Sequence, residues 1–417
     1  MPYLVRVLLL LITSVFTLGC GASTPVRVGG QVAPGFQEVR EEFERNFTER
    51  GERGAAVAVY HHGRKVVDLW GGERNRAHDA WEKNTLVPVY YTTKGIAALT
   101  LAMAHSRGWL DYDARVASYW PEFAQNGKEA ITVRQLLSHE AGLVLLDETI
   151  DYATVADLDA LAKVLARQRP RWEPGSRHGY HLSTLGFYMN ELFRRVDPEH
   201  RSIGRFLQDE ITQPLGAEFY IGVPSSLAVS RVAHVETTSP LGGMAHLSDP
   251  PFGILTRLLS PWSVMTQTFA IPSGYDVNDP AWWKVEMPSG NGIGTARGLA
   301  RIYSAFAVGG KELGISAATF DELTAPPRRP PNGWRDEVLG TESYYGLGVI
   351  KPSPSIDWAS SPRAFGMPGA GGSFAFADPD RKLGYAYVMN KMGYHLNDDP
   401  REKALRDATY RAIARNP

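Results

Sequence analysis

The sequence predicts an α/β protein of the mixed α+β type, with one sheet-bearing lobe built from both ends of the chain and a helical lobe inserted between them. Three observations carry this. Strand-like runs lie early, at Ala55–Tyr60 and Lys65–Trp70, and late, at Tyr344–Ile350, Gly372–Ala377 and Gly384–Asn390. Between about Asp147 and Phe269 the apolar residues recur near every 3.6 positions instead of every second one. At 417 residues with 43% hydrophobic content, the chain can bury a large core. Its net charge is −1 with both signs interspersed, which predicts neither nucleic-acid binding nor a basic membrane-binding face.

The N-terminus reads as an export signal. Arg6 is followed by an uncharged apolar run from Val7 to Leu18, too short for a spanning helix of about 20 residues. Cys20 is the only cysteine, so an intrachain disulfide is impossible. Thr17-Leu18-Gly19-Cys20 resembles a bacterial lipoprotein cleavage box, with Thr17 where such boxes usually carry Leu. Residues 1–20 are therefore expected to be a lipoprotein-type signal and Cys20 the lipidated residue; a plain cleaved signal and an uncleaved anchor are the alternatives. Residues 21–35 are small, polar and Gly/Pro-containing, as suits a tether.

A helix from about Gln37 to Arg50 follows the tether. The turn His61-His62-Gly63-Arg64 joins the first two strands as a hairpin, and its paired histidines read as a solvated turn in preference to a metal site. Further on, Thr132 caps a helix start. His139-Glu140 fails as a zinc-protease motif because Leu143 stands where the second histidine is needed. Helices are expected at Val155–Arg167, Leu182–Arg195, Ile203–Ile211 and Ala296 to about Val308. Trp262, Trp282 and Trp283 are core anchors or a pocket lining. The glycines of Gly290-Asn291-Gly292-Ile293-Gly294 miss the G-x-G-x-x-G spacing at Arg297, which leaves a capped turn. Asp378–Arg381 turns between the last two strands, and Arg401–Arg415 closes the chain as a helix. The lobes are then 36–125 with 285–417, and 126–284.

One helix stands out chemically. Ile96 to His105 carries no charged Asp, Glu, Lys or Arg on any face, which predicts burial, yet Lys94 sits in its first turn. A buried ammonium must be paired, solvated or deprotonated, and the last would make it a base near neutral pH. Tyr91 lies one turn earlier on the same face.

Three pieces share one logic: Tyr91-Thr92-Thr93-Lys94, then Gly179-Tyr180-His181-Leu182 after Trp172-Glu173-Pro174-Gly175, then Met367-Pro368-Gly369-Ala370-Gly371-Gly372-Ser373. Together with Leu136-Leu137-Ser138-His139 and Ala377-Asp378-Pro379, they resemble the serine β-lactamase and penicillin-binding-protein superfamily, and within it the β-lactamase-like (family VIII) carboxylesterases. The resemblance covers the mature chain. It implies an antiparallel sheet flanked by helices plus a helical lobe, with the cleft between them.

It also implies roles. Lys94 matches the lysine of S-x-x-K and Tyr180 the tyrosine that shares its acid/base work. Tyr91 occupies the nucleophile position, and Met367 the polar first position of the third motif. The backbone N–H groups of residues 91 and 370, beside Gly369, would form the oxyanion hole. A phenol oxygen reaches several bonds farther than a serine Oγ, and about 1 Å of misplacement can cost a hundredfold. The expected function is thus an exported hydrolase homologue with lost or impaired acyl-enzyme chemistry that still binds a small acyl, ester or peptide-like ligand. One alternative is an active carboxylesterase using Tyr91, or water activated by Lys94 and Tyr180; another is a structural envelope lipoprotein. Its place is the bacterial cell envelope through a lipid on Cys20, alternatively the periplasm or medium. No metal or organic cofactor is implied.

Overall fold

The computed structural model describes residues 26–238, 254, 256–257, 260–354, 356–395 and 397–416. The expected export signal and the expected lipidation site, Cys20, lie outside the described residues. The central sheet has six strands: β1 (Val28–Val32), β2 (Gly54–His61), β3 (Arg64–Gly72), β7 (Phe365–Pro368), β8 (Phe374–Asp378) and β9 (Leu383–Met389). They run in the order β1-β3-β2-β9-β8-β7 and every neighbouring pair is antiparallel. Both chain ends thus build one sheet, and its β2–β9 seam joins residues more than 300 positions apart.

Alternation along the strands decides what each face receives. Val57, Val59, Phe374, Phe376, Tyr385 and Tyr387 point to one face, where α1 (Gln37–Glu49) and α7 (Pro400–Arg415) cover them through Phe43, Leu405 and Ile413. The opposite face is lined by small residues, Ala58, Ala375, Ala377 and Ala386. Small side chains let α6 (Ala296–Ala307) lie close: a Cβ on Gly384 would stand 2.4 Å from the Ser304 nitrogen. Against β7 and β8 lies α2 (Thr92–Ser106), whose residues from Thr92 to Ala104 are all buried, as its uncharged faces predict.

The inserted lobe contains α3 (Val133–Leu137), α4 (Leu158–Arg167) and α5 (Thr184–Val196). Thr132 caps α3 as expected, accepting from the Gln135 N–H while the Gln135 side chain takes the Thr132 N–H. A second small sheet of β4 (Val87–Pro88), β5 (Phe219–Tyr220) and β6 (Ile293–Gly294) ties the two lobes at the entrance to α2. The glycine-rich run before α6 is a capped turn, with the Thr295 side chain accepting from the Gly298 N–H.

Four expectations change. Part of the 21–35 tether is strand: Val28–Val32 pairs with β3 along the sheet edge. The run Tyr344–Ile350 is no strand, because it folds back on itself, with the Lys351 N–H donating to Tyr344 O and the Gly346 N–H to Val349 O, both at 2.8 Å. The single helix expected at 155–167 is two, since Asp157 stops Tyr152–Ala156 and caps α4. Of the three tryptophans, Trp282 and Trp283 are core anchors, whereas Trp262 is 87% exposed.

Candidate active site

The site is assembled where β4, α2, the hairpin of β7 and β8, and the 288–292 loop meet. The Val89 N–H donates to Gly292 O at 2.9 Å, which fixes the approach to α2. Tyr90 then adopts φ +48°, a left-handed conformation that costs a tyrosine on the order of 1–3 kcal/mol. Its carbonyl is held twice, by the Thr93 N–H at 3.0 Å and the Thr93 hydroxyl at 2.5 Å. This sharp corner delivers Tyr91 to the N-cap of α2 and aims Lys94 inward.

Lys94 is fully buried, and among the described residues its ammonium donates one hydrogen bond, to Ser289 O at 3.2 Å. The Nζ stands 4.1 Å from the centre of the Tyr91 ring and 4.7 Å from that of Tyr180. The two rings meet edge to face, 6.2 Å apart. With burial uncompensated by any carboxylate among the described residues, the Lys94 ammonium is pushed well below its ordinary value. Burial, and then the neighbouring Tyr90, drive the Tyr91 phenol upward. Among the described residues no hydrogen bond engages the Tyr91 hydroxyl.

Tyr180 is held at its ring more than at its hydroxyl. It stacks on Tyr345 at 6.0 Å and 10°, and Tyr345 donates to Asp336 at 2.6 Å. Among the described residues the Tyr180 hydroxyl finds only the sulfur of Met367, at 3.9 Å. Next to it the His181 N–H donates to His139 Nδ1 at 2.9 Å, so His139 carries its proton on Nε2. The Leu143 N–H donates to His181 Nε2, and His181 Nδ1–H donates to Gly179 O, so His181 is neutral too. Burial brings His181 down to about 3. These histidines, apart from one 139–140 motif that fails, gave no signal in the sequence because their partners are backbone groups.

The third motif closes the site from the sheet side. Met367 is buried in β7 and paired with Ala375. Gly369 is pressed against α2: a Cβ there would lie 2.3 Å from Val89 O and 2.8 Å from Thr92 Oγ1. Ser373 donates to Val89 O at 3.1 Å and its hydroxyl meets that of Thr92 at 3.2 Å. Among the described residues the N–H groups of Tyr91 and Ala370 donate to nothing, and both residues are partly exposed. Thus Tyr91, Lys94, Tyr180, Met367, Gly369 and Ala370, far apart in sequence, meet in one place. Ser289, whose carbonyl holds Lys94, was missed, since a backbone acceptor has no residue signature.

Comparison with known proteins agrees with this geometry. The Beta-lactamase family matches residues 40–410. Esterase/beta-lactamase LipL of Mycobacterium tuberculosis is 31% identical over 379 residues, covering 88% of this chain and 83% of that protein. A penicillin-binding protein homologue from Caulobacter crescentus is 39% identical with a TM-score of 0.80, covering 93% of this chain and 100% of that one. A family VIII carboxylesterase is 36% identical with a TM-score of 0.78 and the same coverage. The family resemblance read from the three motifs therefore holds across the two lobes, and the chain belongs to the β-lactamase family.

Proposed function

We propose that this β-lactamase-family chain no longer turns over esters or amides through an acyl-enzyme, and that its cleft binds a small acyl, ester or peptide-like ligand. Tyr91 stands at the family's nucleophile position and Met367 at the polar position of the third motif. The observation that carries the reading is the placement of Lys94 over the face of the Tyr91 ring, 4.1 Å from its centre. A base centred over a ring face is out of line with the hydroxyl in the ring plane, and a general base must come within about 2.6–3.2 Å of the proton it removes. The N–H groups at 91 and 370, which donate to nothing among the described residues, offer two donors to a ligand oxygen.

The purified chain, tested with p-nitrophenyl acetate and butyrate and a chromogenic cephalosporin, should match Lys94→Ala in showing no turnover. Tyr91→Ser should exceed it by about a hundredfold or more. Turnover by the parent that disappears in Lys94→Ala overturns the reading. That result would favour the rival one, in which the depressed Lys94 amine activates Tyr91 or water with Tyr180. Export and a lipid anchor at Cys20 are supported by the N-terminal sequence. Cys20→Ser should move the protein from the membrane to the soluble envelope fraction, and unchanged fractionation would sink the anchor.

A further inference from the structure

Directly behind the turn that carries Ala370, one guanidinium gathers groups from four parts of the chain. Arg401, in the first turn of α7, is 5% exposed and uses all five of its N–H donors. Nε and Nη2 grip the two oxygens of Asp399 at 2.9 and 2.8 Å. Nη1 reaches Lys391 O at 2.8 Å and Glu52 Oε1 at 3.2 Å, and the second Nη2 hydrogen goes to Gly371 O at 2.9 Å. Tyr387 donates to the other oxygen of Glu52. Asp399 also caps α7 by accepting the Arg401 N–H at 3.0 Å.

The turn has no room to retreat. Gly371 O accepts a second bond from the Gly393 N–H at 2.9 Å. Gly371 and Gly372 have φ of +82° and +116°, conformations only glycine adopts without strain. A Cβ on Gly371 would lie 2.7 Å from Met392, and one on Gly372 2.8 Å from Asp399. The peptide two units back, whose N–H is that of Ala370, is held less firmly: among the described residues its carbonyl, Gly369 O, accepts only a long 3.4 Å bond from the Gly372 N–H. The aim of the Ala370 N–H is therefore set by the anchor two peptides along the same tight turn.

We propose that Arg401 is a positioning residue for the Ala370 N–H, clamping the turn through Gly371 O so that this donor faces the ligand oxygen in the cleft. This rests on the reading above that residues 91 and 370 form an oxyanion site. A bidentate fork is needed, because a lysine presents one compact charge that cannot span Asp399, Gly371, Lys391 and Glu52 together.

Two measurements test it, each with Arg401→Lys, or with Asp399→Asn if that variant does not fold. In a Tyr91→Ser background with p-nitrophenyl butyrate, the added substitution should lower kcat by about tenfold or more while KM stays within about twofold. An unchanged kcat in a folded variant overturns the proposal. In the otherwise unaltered chain labelled with 15N-alanine, butylphosphonate should shift the Ala370 amide resonance, and the substitution should abolish that shift. A shift of equal size in the variant overturns the clamp alone. No shift in the unaltered chain overturns the oxyanion site, and the clamp's role with it.

Discussion

Two buried lysines, Lys94 and Lys128, are both fully enclosed, and their surroundings differ in a way that separates a structural cation from a poised amine. Lys128 donates to three carbonyls, Gln125 O at 2.8 Å, Ala166 O at 2.9 Å and Gln168 O at 2.6 Å. Its three hydrogens are all placed, and burial lowers it only to about 8, so it keeps its charge at neutral pH. Lys94 has one carbonyl and two aromatic faces. Aromatic faces attract a cation but offer it less than carbonyl oxygens do, so burial prevails and the amine is pushed well below its ordinary value. Burial alone is thus no sign of function. The number of acceptors around the nitrogen is the discriminating quantity.

The largest test of this contrast is stability. Lys128→Met leaves the buried Ala166 and Gln168 carbonyls without their donor, while Gln125 O keeps the Lys128 N–H; at about 1–3 kcal/mol each the loss should reach about 2 kcal/mol or more in denaturant unfolding. Lys94→Met leaves one carbonyl bare and removes an amine whose charged form burial penalises, so it should stay within about 1 kcal/mol of the parent. Equal losses in the two variants would break the contrast.

A smaller effect should appear in the pH dependence. The folded-state value of Lys94 lies below its unfolded value, so between the two the unfolded chain binds the extra proton and stability rises with pH. The rise ends near the ordinary lysine value of 10.5. Buried carboxyls such as Glu402, raised to about 7, act with the opposite sign but below that pH. Tyrosines raised by burial, Tyr91 among them, lower stability only above their ordinary value of 10.0. From pH 7 to 10 the parent should therefore gain stability more steeply than Lys94→Met, by up to about 1.4 kcal/mol per pH unit. Parallel slopes in the two proteins would show that Lys94 does not titrate in this window.

Much of the fold was legible because its signals are local. The strand-like runs Ala55–Tyr60 and Gly384–Asn390 identified β2 and β9, and the uncharged run after Gly95 identified a buried helix with a lysine at its head. The three cleft motifs were visible too, since the residues at 91, 94, 180 and 367 are read directly. Edge strand β1 was missed because its partner, β3, lies almost 40 residues away and its own sequence is that of a tether.

What the sequence by itself determined is which residue types stand at 91, 94, 180 and 367, with a tyrosine one turn before the buried lysine. What only the tertiary structure decided is how they are held. Ser289 O sets the direction of Lys94, the ring of Tyr91 covers it, and Arg401 grips the turn behind Ala370. The physical reason is that these contacts run through backbone carbonyls and N–H groups. Nearly every residue carries them, so their partners are fixed by the path of the chain and not by residue type.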